Sequence, residues 1–158
     1  MQTKRILFSL LFICIAFSCE KEYYTTIPNY RVYLELNLAL LDSELNAQYA
    51  YKIIDKPEAG RPEYLPLGFG GILAINGFGD SQVNIYAYDL SCPVEAQRDI
   101  HVIPDGVKTA HTATCEKCGA VFYISTGTGA PKSGSKYYLR SYKVSGDGSL
   151  NSKYFVRN

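Results

Sequence analysis

Short segments in which apolar and polar residues alternate, each closed by glycine, proline or serine, constrain the fold of this chain most strongly. In residues 31–38 every second residue is a valine or a leucine, and residues 83–90 alternate in a similar way. A period of two is typical of a strand with one face packed on a core. No window shows the stripe of an amphipathic helix, although residues 39–50 could hold one or two helical turns. The pattern therefore predicts a fold built mainly from β-strands.

The whole set of strand-like segments indicates the fold class. We predict strands within residues 31–38, 47–54, 72–75, 83–90, 100–103, 120–124, 137–144 and 153–156. Short strands at this spacing are typical of an all-β domain of small sheets. The glycine-rich residues 68–71 lead into an apolar, strand-like segment, whereas a phosphate-binding glycine loop leads into a helix. We therefore predict a tight turn that feeds a buried strand.

The N-terminal residues have the pattern of an export signal. Lys4 and Arg5 precede an apolar stretch over residues 6–17, which is shorter than the roughly 20 residues that a bilayer-spanning helix needs. The tetrapeptide Ala-Phe-Ser-Cys that ends at Cys19 resembles the lipobox of bacterial lipoproteins, in which the cysteine becomes the acylated N-terminus. The alternative is an ordinary secretory signal followed by an unrelated cysteine.

The lipobox resemblance implies an organisation and a location for the chain. Residues 1–18 are then a lipoprotein signal peptide, residues 19–29 a lipidated tether, and residues 30–158 the β domain. The protein would be anchored in a membrane of the bacterial cell envelope. Loss of the signal removes two of the 16 basic residues and none of the 15 acidic ones, so the formal charge changes from +1 to −1. This charge excludes nucleic acid as a main partner.

The cysteines leave an odd number of thiols in the β domain. Cys14 lies in the signal and Cys19 at the lipid site, so Cys92, Cys115 and Cys118 remain. An exported protein normally pairs its cysteines in disulfides. Either one pair forms and one thiol is left over, or the three thiols converge on a metal ion.

Four ordered motifs surround these cysteines. Residues 92–94 are Cys-Pro-Val, residues 115–122 are Cys-Glu-Lys-Cys-Gly-Ala-Val-Phe, residues 126–127 are Thr-Gly, and residues 139–144 read L-x-x-Y-x-V. Together they resemble the cluster-binding part of Rieske-type [2Fe–2S] proteins, where C-P-H and C-x-x-H-G-S-x-F loops precede a similar T-G turn. The resemblance covers residues 65–156. It implies small stacked antiparallel sheets, two cluster-binding loops within about residues 90–126, a [2Fe–2S] cofactor and a role in electron transfer.

The ligand positions depart from the family pattern. By resemblance Cys92 and Cys115 match the two cysteine ligands, whereas Val94 and Cys118 stand at the two histidine positions. Because a valine side chain has no lone pair, a complete two-cysteine, two-histidine centre is excluded. Glu95 and His111 are candidate fourth ligands, although an extended strand would hold His111 about 13 Å from Cys115. His101, among apolar residues, is interpreted as a packed or surface side chain.

Several interpretations of the three thiols stay open. Zinc accepts three cysteines with a histidine or an oxygen ligand, and a disulfide from Cys92 to either other cysteine would join the loops without metal. A thioredoxin-like pair is disfavoured because no helix is apparent after Cys118. In the non-redox alternative the domain is a structural or binding lipoprotein with an envelope protein partner; in the redox interpretation the partner is an electron carrier.

Catalysis has little support in the sequence. No motif for a nucleophilic serine or a zinc protease is present, so we expect a protein that is not an enzyme. The carboxylates are expected in solvated strand edges and turns: Glu35, Asp42, Glu44, Asp55, Glu58, Glu63, Asp80, Asp89 and Asp99.

Overall fold

The structure of the protein, a computed structural model, describes residues 24–158 and is all-β. These residues form ten strands: β1 (Tyr33–Asn37), β2 (Tyr51–Ile54), β3 (Ile72–Asn76), β4 (Ile85–Asp89), β5 (Val102–Pro104), β6 (Thr112–Cys115), β7 (Val121–Tyr123), β8 (Pro131–Ser133), β9 (Ser141–Ser145) and β10 (Lys153–Arg157). The predicted fold class is therefore confirmed. A 3-10 helix, Ser43–Asn46, is the helical turn expected in that region, and no helix of the described residues is long and apolar enough to cross a membrane. The predicted signal peptide and Cys19 lie outside the described residues.

The strands form two antiparallel sheets. Six strands make a curled sheet in the order β1-β10-β9-β4-β3-β2, so the first and last strands pair. The other four make a sheet in the order β5-β6-β7-β8, in which neighbours in sequence are neighbours in space. Because this smaller sheet is inserted between β4 and β9, both of its connections to the large sheet leave from adjacent strands. The loop from β4 to β5 and the β6–β7 turn both carry cysteines.

Strand β3 supplies side chains to two hydrophobic cores. Ile72 and Ala74 pack in the core of the large sheet, and Leu73 and Ile75 pack in the core shared with the small sheet. Alternate residues of a strand point to opposite faces, so a strand buried on both faces must be apolar throughout. Each fully buried leucine or isoleucine contributes about 1.5–3 kcal/mol of hydrophobic free energy. The predicted turn before β3 is present, because Gly68 and Gly71 have φ angles of +80° and +111°.

Two carboxylates that were expected in solvent are fully buried. Asp42 forms ion pairs with Arg61 and with Lys52, whose Nζ lies 3.0 Å from the carboxylate. Asp89, the last residue of β4, accepts hydrogen bonds from the Tyr142 hydroxyl and from nearby backbone amides. The expectation failed because the partners of Asp42 and Asp89 are distant in sequence, and a buried charge needs such partners to balance its lost hydration.

Three strands, β6, β8 and β9, differ from the sequence prediction in their presence or their boundaries. Strand β6 (Thr-Ala-Thr-Cys) was not among the predicted strands, because an extended strand there was assumed only to estimate the distance from His111 to Cys115. Strand β8 (Pro-Lys-Ser) was not predicted. Neither segment contains a large apolar residue, so neither shows the alternation that marks the other strands. Strand β9 begins at Ser141 instead of residue 137.

Candidate metal centre

Cys92 lies three residues beyond β4, in a loop that turns sharply. Its backbone amide donates to the Ile100 carbonyl at 2.8 Å, and its carbonyl accepts from the Ala96 amide at 2.9 Å. Ala96 has a φ angle of +51°, a left-handed conformation that closes the turn. These bonds hold the two arms of the loop together and keep Cys92 fully buried.

Cys115 and Cys118 are placed by the tight turn between β6 and β7. The Cys115 amide donates to the Ala120 carbonyl at 2.9 Å, and the Gly119 amide donates back to the Cys115 carbonyl at 2.8 Å. Gly119 has a φ angle of +72°, which glycine adopts without steric cost. The two-residue spacer Glu-Lys therefore lies on the outside of the turn, and both cysteines face the Cys92 loop.

The structure brings the three thiols together. All three sulfur atoms lie within 4.8 Å of one another, and the Sγ atoms of Cys92 and Cys118 are 3.7 Å apart. No disulfide joins them. Four sulfur ligands around a zinc ion at about 2.3 Å would be about 3.8 Å apart along each tetrahedral edge. The separation of Cys92 and Cys118 matches that of two ligands on one ion, and the other two separations are at most 4.8 Å.

The thiols differ in acidity because their surroundings differ. Burial raises the pKa of Cys92 to about 12, against smaller opposing effects of the Glu95 and Val94 amides. Burial also acts to raise the pKa of Cys115, but hydrogen bonds from the Cys118 amide and the Cys92 thiol outweigh it and leave the pKa below its usual value. Cys115 is therefore the first of these two thiols to become the thiolate that metals bind.

Glu95, a candidate fourth ligand, is engaged with another residue. Its carboxylate lies 2.8 Å from Nζ of Lys117, and it does not belong to the group of mutually close ligand atoms. This ion pair raises the pKa of Lys117 and joins the Cys92 loop to the β6–β7 turn. Val94, beside Glu95, is partly exposed, so the residue that by resemblance stands at a histidine position faces solvent.

The two histidines lie away from the thiols. His111 packs on the ring of Tyr49, with centroids 4.1 Å apart, and its Nδ1 is 3.4 Å from the Ser125 hydroxyl. It precedes β6 while Cys115 ends that strand, so the strand itself separates the two residues. The ring of His101 contacts the Arg98 carbonyl at 2.9 Å. Neither histidine is part of the ligand group.

The segment before β1 contacts the cysteine loop, which the sequence did not indicate. The Thr26 hydroxyl donates to the carbonyl of Pro93, next to Cys92. Ile27 is buried, and its carbonyl accepts from Arg140 at 2.7 Å. Residues from Tyr24 onward therefore pack against the domain, although residues 19–29 were predicted as a tether. Ile27 was the signal in the sequence that this segment packs on the domain, because a free tether gains no stability from a large apolar residue.

The comparisons with known proteins add no relative. No protein-family model matches the chain, and the search of the curated proteins finds no match. The three cysteines can hold a metal ion, because their sulfur atoms are soft donors once deprotonated. Cys118 is the partly exposed member of the group.

Proposed function

We propose that this protein is an exported, lipid-anchored domain of Rieske-like architecture whose three cysteines hold a single zinc ion. The observation that carries the proposal is the mutual approach of Cys92, Cys115 and Cys118 within 4.8 Å. The function is then structural or binding, with the ion joining two loops at the tip of the small sheet. An envelope protein is the expected partner, and no catalytic step is proposed.

The geometry favours one ion over a [2Fe–2S] cluster. In a Rieske centre the two cysteines bind one iron and the two histidines bind the other. Cys118 occupies a histidine position by resemblance, so in a cluster it would bind the second iron, farther from Cys92. A separation of 3.7 Å between these sulfurs suits two ligands of the same ion. Val94 offers no donor for the remaining position, which also disfavours the cluster.

The donor set favours zinc among single ions. Zinc binds three thiolates with an oxygen or nitrogen as the fourth ligand, and thiolates select it over the hard cations magnesium and calcium. Glu95 supplies the fourth donor if it leaves Lys117, and otherwise a water molecule or a group of the partner completes the tetrahedron. Both loops would then be held by bonds to one atom.

Metal analysis of the full-length protein, prepared without oxygen, tests the proposal. We expect about one zinc per chain, no acid-labile sulfide and no visible absorption. Cys92→Ser, Cys115→Ser and Cys118→Ser should each lose the zinc, whereas His111→Asn, the matched control away from the thiols, should keep it. Two irons and two sulfides per chain, with visible absorption, would replace the zinc proposal by the [2Fe–2S] alternative and its role in electron transfer.

A disulfide between Cys92 and Cys118 is the second candidate for the state of the loops. The 3.7 Å separation of the two Sγ atoms also favours this disulfide, because a small movement of the side chains would bring the sulfurs to the bond length of about 2.05 Å. Such a bond would close a loop of more than 20 residues and stabilise the fold by about 3 kcal/mol. Peptide mapping by mass spectrometry without reduction distinguishes it: a Cys92–Cys118 linked peptide with unmodified Cys115 and no metal would support the disulfide.

The lipid anchor is tested separately from the metal. We propose that Cys19 is the acylated N-terminus, because it directly follows the apolar stretch of the signal. More than one acyl chain anchors a protein stably, where a single chain is marginal. Cys19→Ala should release the protein from the membrane fraction or leave the signal uncleaved. Normal processing together with membrane retention would contradict the proposal.

A further inference from the structure

A groove between loops lies beside the cysteine loop and outside the metal centre. It has a volume of about 620 Å³ and is lined by residues 30–31, 55–57, 65–71, 98–99 and 101. Its floor is apolar and includes Leu65, Leu67 and Phe69. A floor of this kind with a few converging polar groups is the usual form of a small-molecule site.

Arg98 lies at the wall of this groove, against two aromatic rings. Its guanidinium carbon lies 5.3 Å from the ring centre of Tyr30 and 5.4 Å from that of Phe69. Its carbonyl accepts a hydrogen bond from the Ser91 hydroxyl at 3.3 Å. A guanidinium that packs on aromatic rings keeps its N–H edge free to bind a planar oxyanion. Because the rings already restrict the arginine side chain, this side chain loses less conformational entropy when the oxyanion binds.

Among the described residues, the cations of the groove form no ion pair with a carboxylate. Within residues 24–158, the ion pairs involve Lys52, Arg61, Lys117 and Lys153. Arg31, Lys56 and Arg98 line the groove and take part in none of them. Because three cations line one groove, an anion is favoured there over a cation.

The carboxylates of the groove limit the charge of that anion. Asp55 and Asp99 also line it, so three cations and two carboxylates leave a formal charge of one positive unit, with His101 neutral. A doubly charged phosphate would be repelled by both carboxylates, whereas a single carboxylate can pair with Arg98. The apolar floor favours an apolar group next to that carboxylate.

We propose that this groove binds a small organic carboxylate with an apolar or aromatic body, with its carboxylate on Arg98 and Arg31 and its body on Phe69. No covalent step is involved. The site is independent of the metal centre, because none of its residues belongs to the thiol group.

Titration of the full-length protein in mild detergent with phenylacetate, followed by amide chemical shifts, tests the proposal. We expect saturable shifts at Tyr30, Phe69 and Arg98, with a dissociation constant of roughly a millimolar or below for a groove this open. Arg98→Gln should weaken binding about tenfold or more, and Arg98→Lys, which keeps the charge but not the fork, should weaken it less. Arg157→Gln, on the exposed end of β10, is the matched control and should bind normally.

Two ligand controls make the result decisive. Phenylacetamide has the same shape without the charge and should bind about tenfold more weakly than phenylacetate. Inorganic phosphate should also bind more weakly. Equal binding of phenylacetamide, tighter binding of phosphate, an unaffected Arg98→Gln variant with native circular dichroism, or shifts outside the groove would each overturn the proposal.

Discussion

Asp89 and Cys92 are three residues apart and fully buried, but their polar atoms are satisfied in different ways. The Asp89 carboxylate accepts from the amides of Phe69, Gly70 and Ser91 and from the Tyr142 hydroxyl, at 2.6–3.1 Å. The Cys92 sulfur has the two other thiols as its side-chain neighbours, with Cys118 at 3.7 Å. The carboxylate centre is therefore complete within the protein, whereas the thiol centre gains from a cation.

We interpret the Asp89 centre as structural, because its hydrogen bonds are complete within the protein, and the thiol centre as the candidate metal site. The four donors to Asp89 come from three segments, namely the glycine turn, the residue Ser91 after β4, and β9, so the carboxylate holds these segments together. Gly68 is part of the same arrangement, because a Cβ added there would lie 2.2 Å from the Tyr142 hydroxyl oxygen. The thiols join only two loops of the small sheet. Loss of the carboxylate should damage the fold, and loss of the thiols should mainly affect the metal.

The largest expected effect is that of Asp89→Ala. The substitution leaves three amides and a hydroxyl unpaired in a buried site, so we expect the free energy of unfolding to fall by about 3–5 kcal/mol. Burial and the neighbouring Asp89 charge hold the pKa of Tyr142 above its usual value, so this hydroxyl stays a donor at neutral pH. Urea denaturation measures the change, and Asp80→Ala in an exposed loop is the control. A loss below about 1 kcal/mol, the size of an ordinary surface effect, would contradict the assigned role.

Removal of the proposed zinc ion should have the next largest effect. An ion at 100 times its dissociation constant stabilises the folded state by about 2.7 kcal/mol, so a chelator should lower the melting temperature of the native protein. Cys115→Ser should already melt lower and should not respond to the chelator. Equal responses of the two proteins would show that the chelator acts elsewhere and would contradict the thiol site.

The pH dependence of metal binding sharpens the same comparison. Zinc binds thiolates, and the pKa of about 12 at Cys92 means that this thiol must lose a proton when the ion binds. The apparent affinity should therefore rise with pH by about tenfold per unit for each thiol still protonated, which is about 1.4 kcal/mol. Because the pKa of Cys115 is lowered, this thiol should stop adding to the slope of affinity against pH at a lower pH than Cys92 does. Competition with a chromophoric chelator from about pH 6 to 9 measures the slope, and a flat profile would contradict thiolate ligation.

The sequence indicated the thiol centre but not the Asp89 centre, and the reason is physical. The alternation in β1 and the apolar run in β3 are local patterns, and both elements were predicted close to their observed bounds. The burial of Asp89 depends on Tyr142, 53 residues away, which no local pattern reveals. The approach of Cys92 to Cys118 spans 26 residues and was expected only from the resemblance of the motifs. The fourth ligand could not be predicted, because the pairing of Glu95 with Lys117 depends on how the two loops meet.

The smallest expected effect concerns the Glu95–Lys117 ion pair. Lys117 is half exposed, and exposed pairs contribute little because solvent screens them, so Lys117→Gln should barely change the free energy of unfolding. The loss should shrink in about 1 M salt, where the screening length is roughly 3 Å. A double-mutant cycle with Glu95→Gln isolates the pair, and Lys143→Gln on β9 is the control. A large coupling that persists in high salt would mean that the pair is a structural centre like Asp89, and that Glu95 is not free to leave Lys117 for a metal ion.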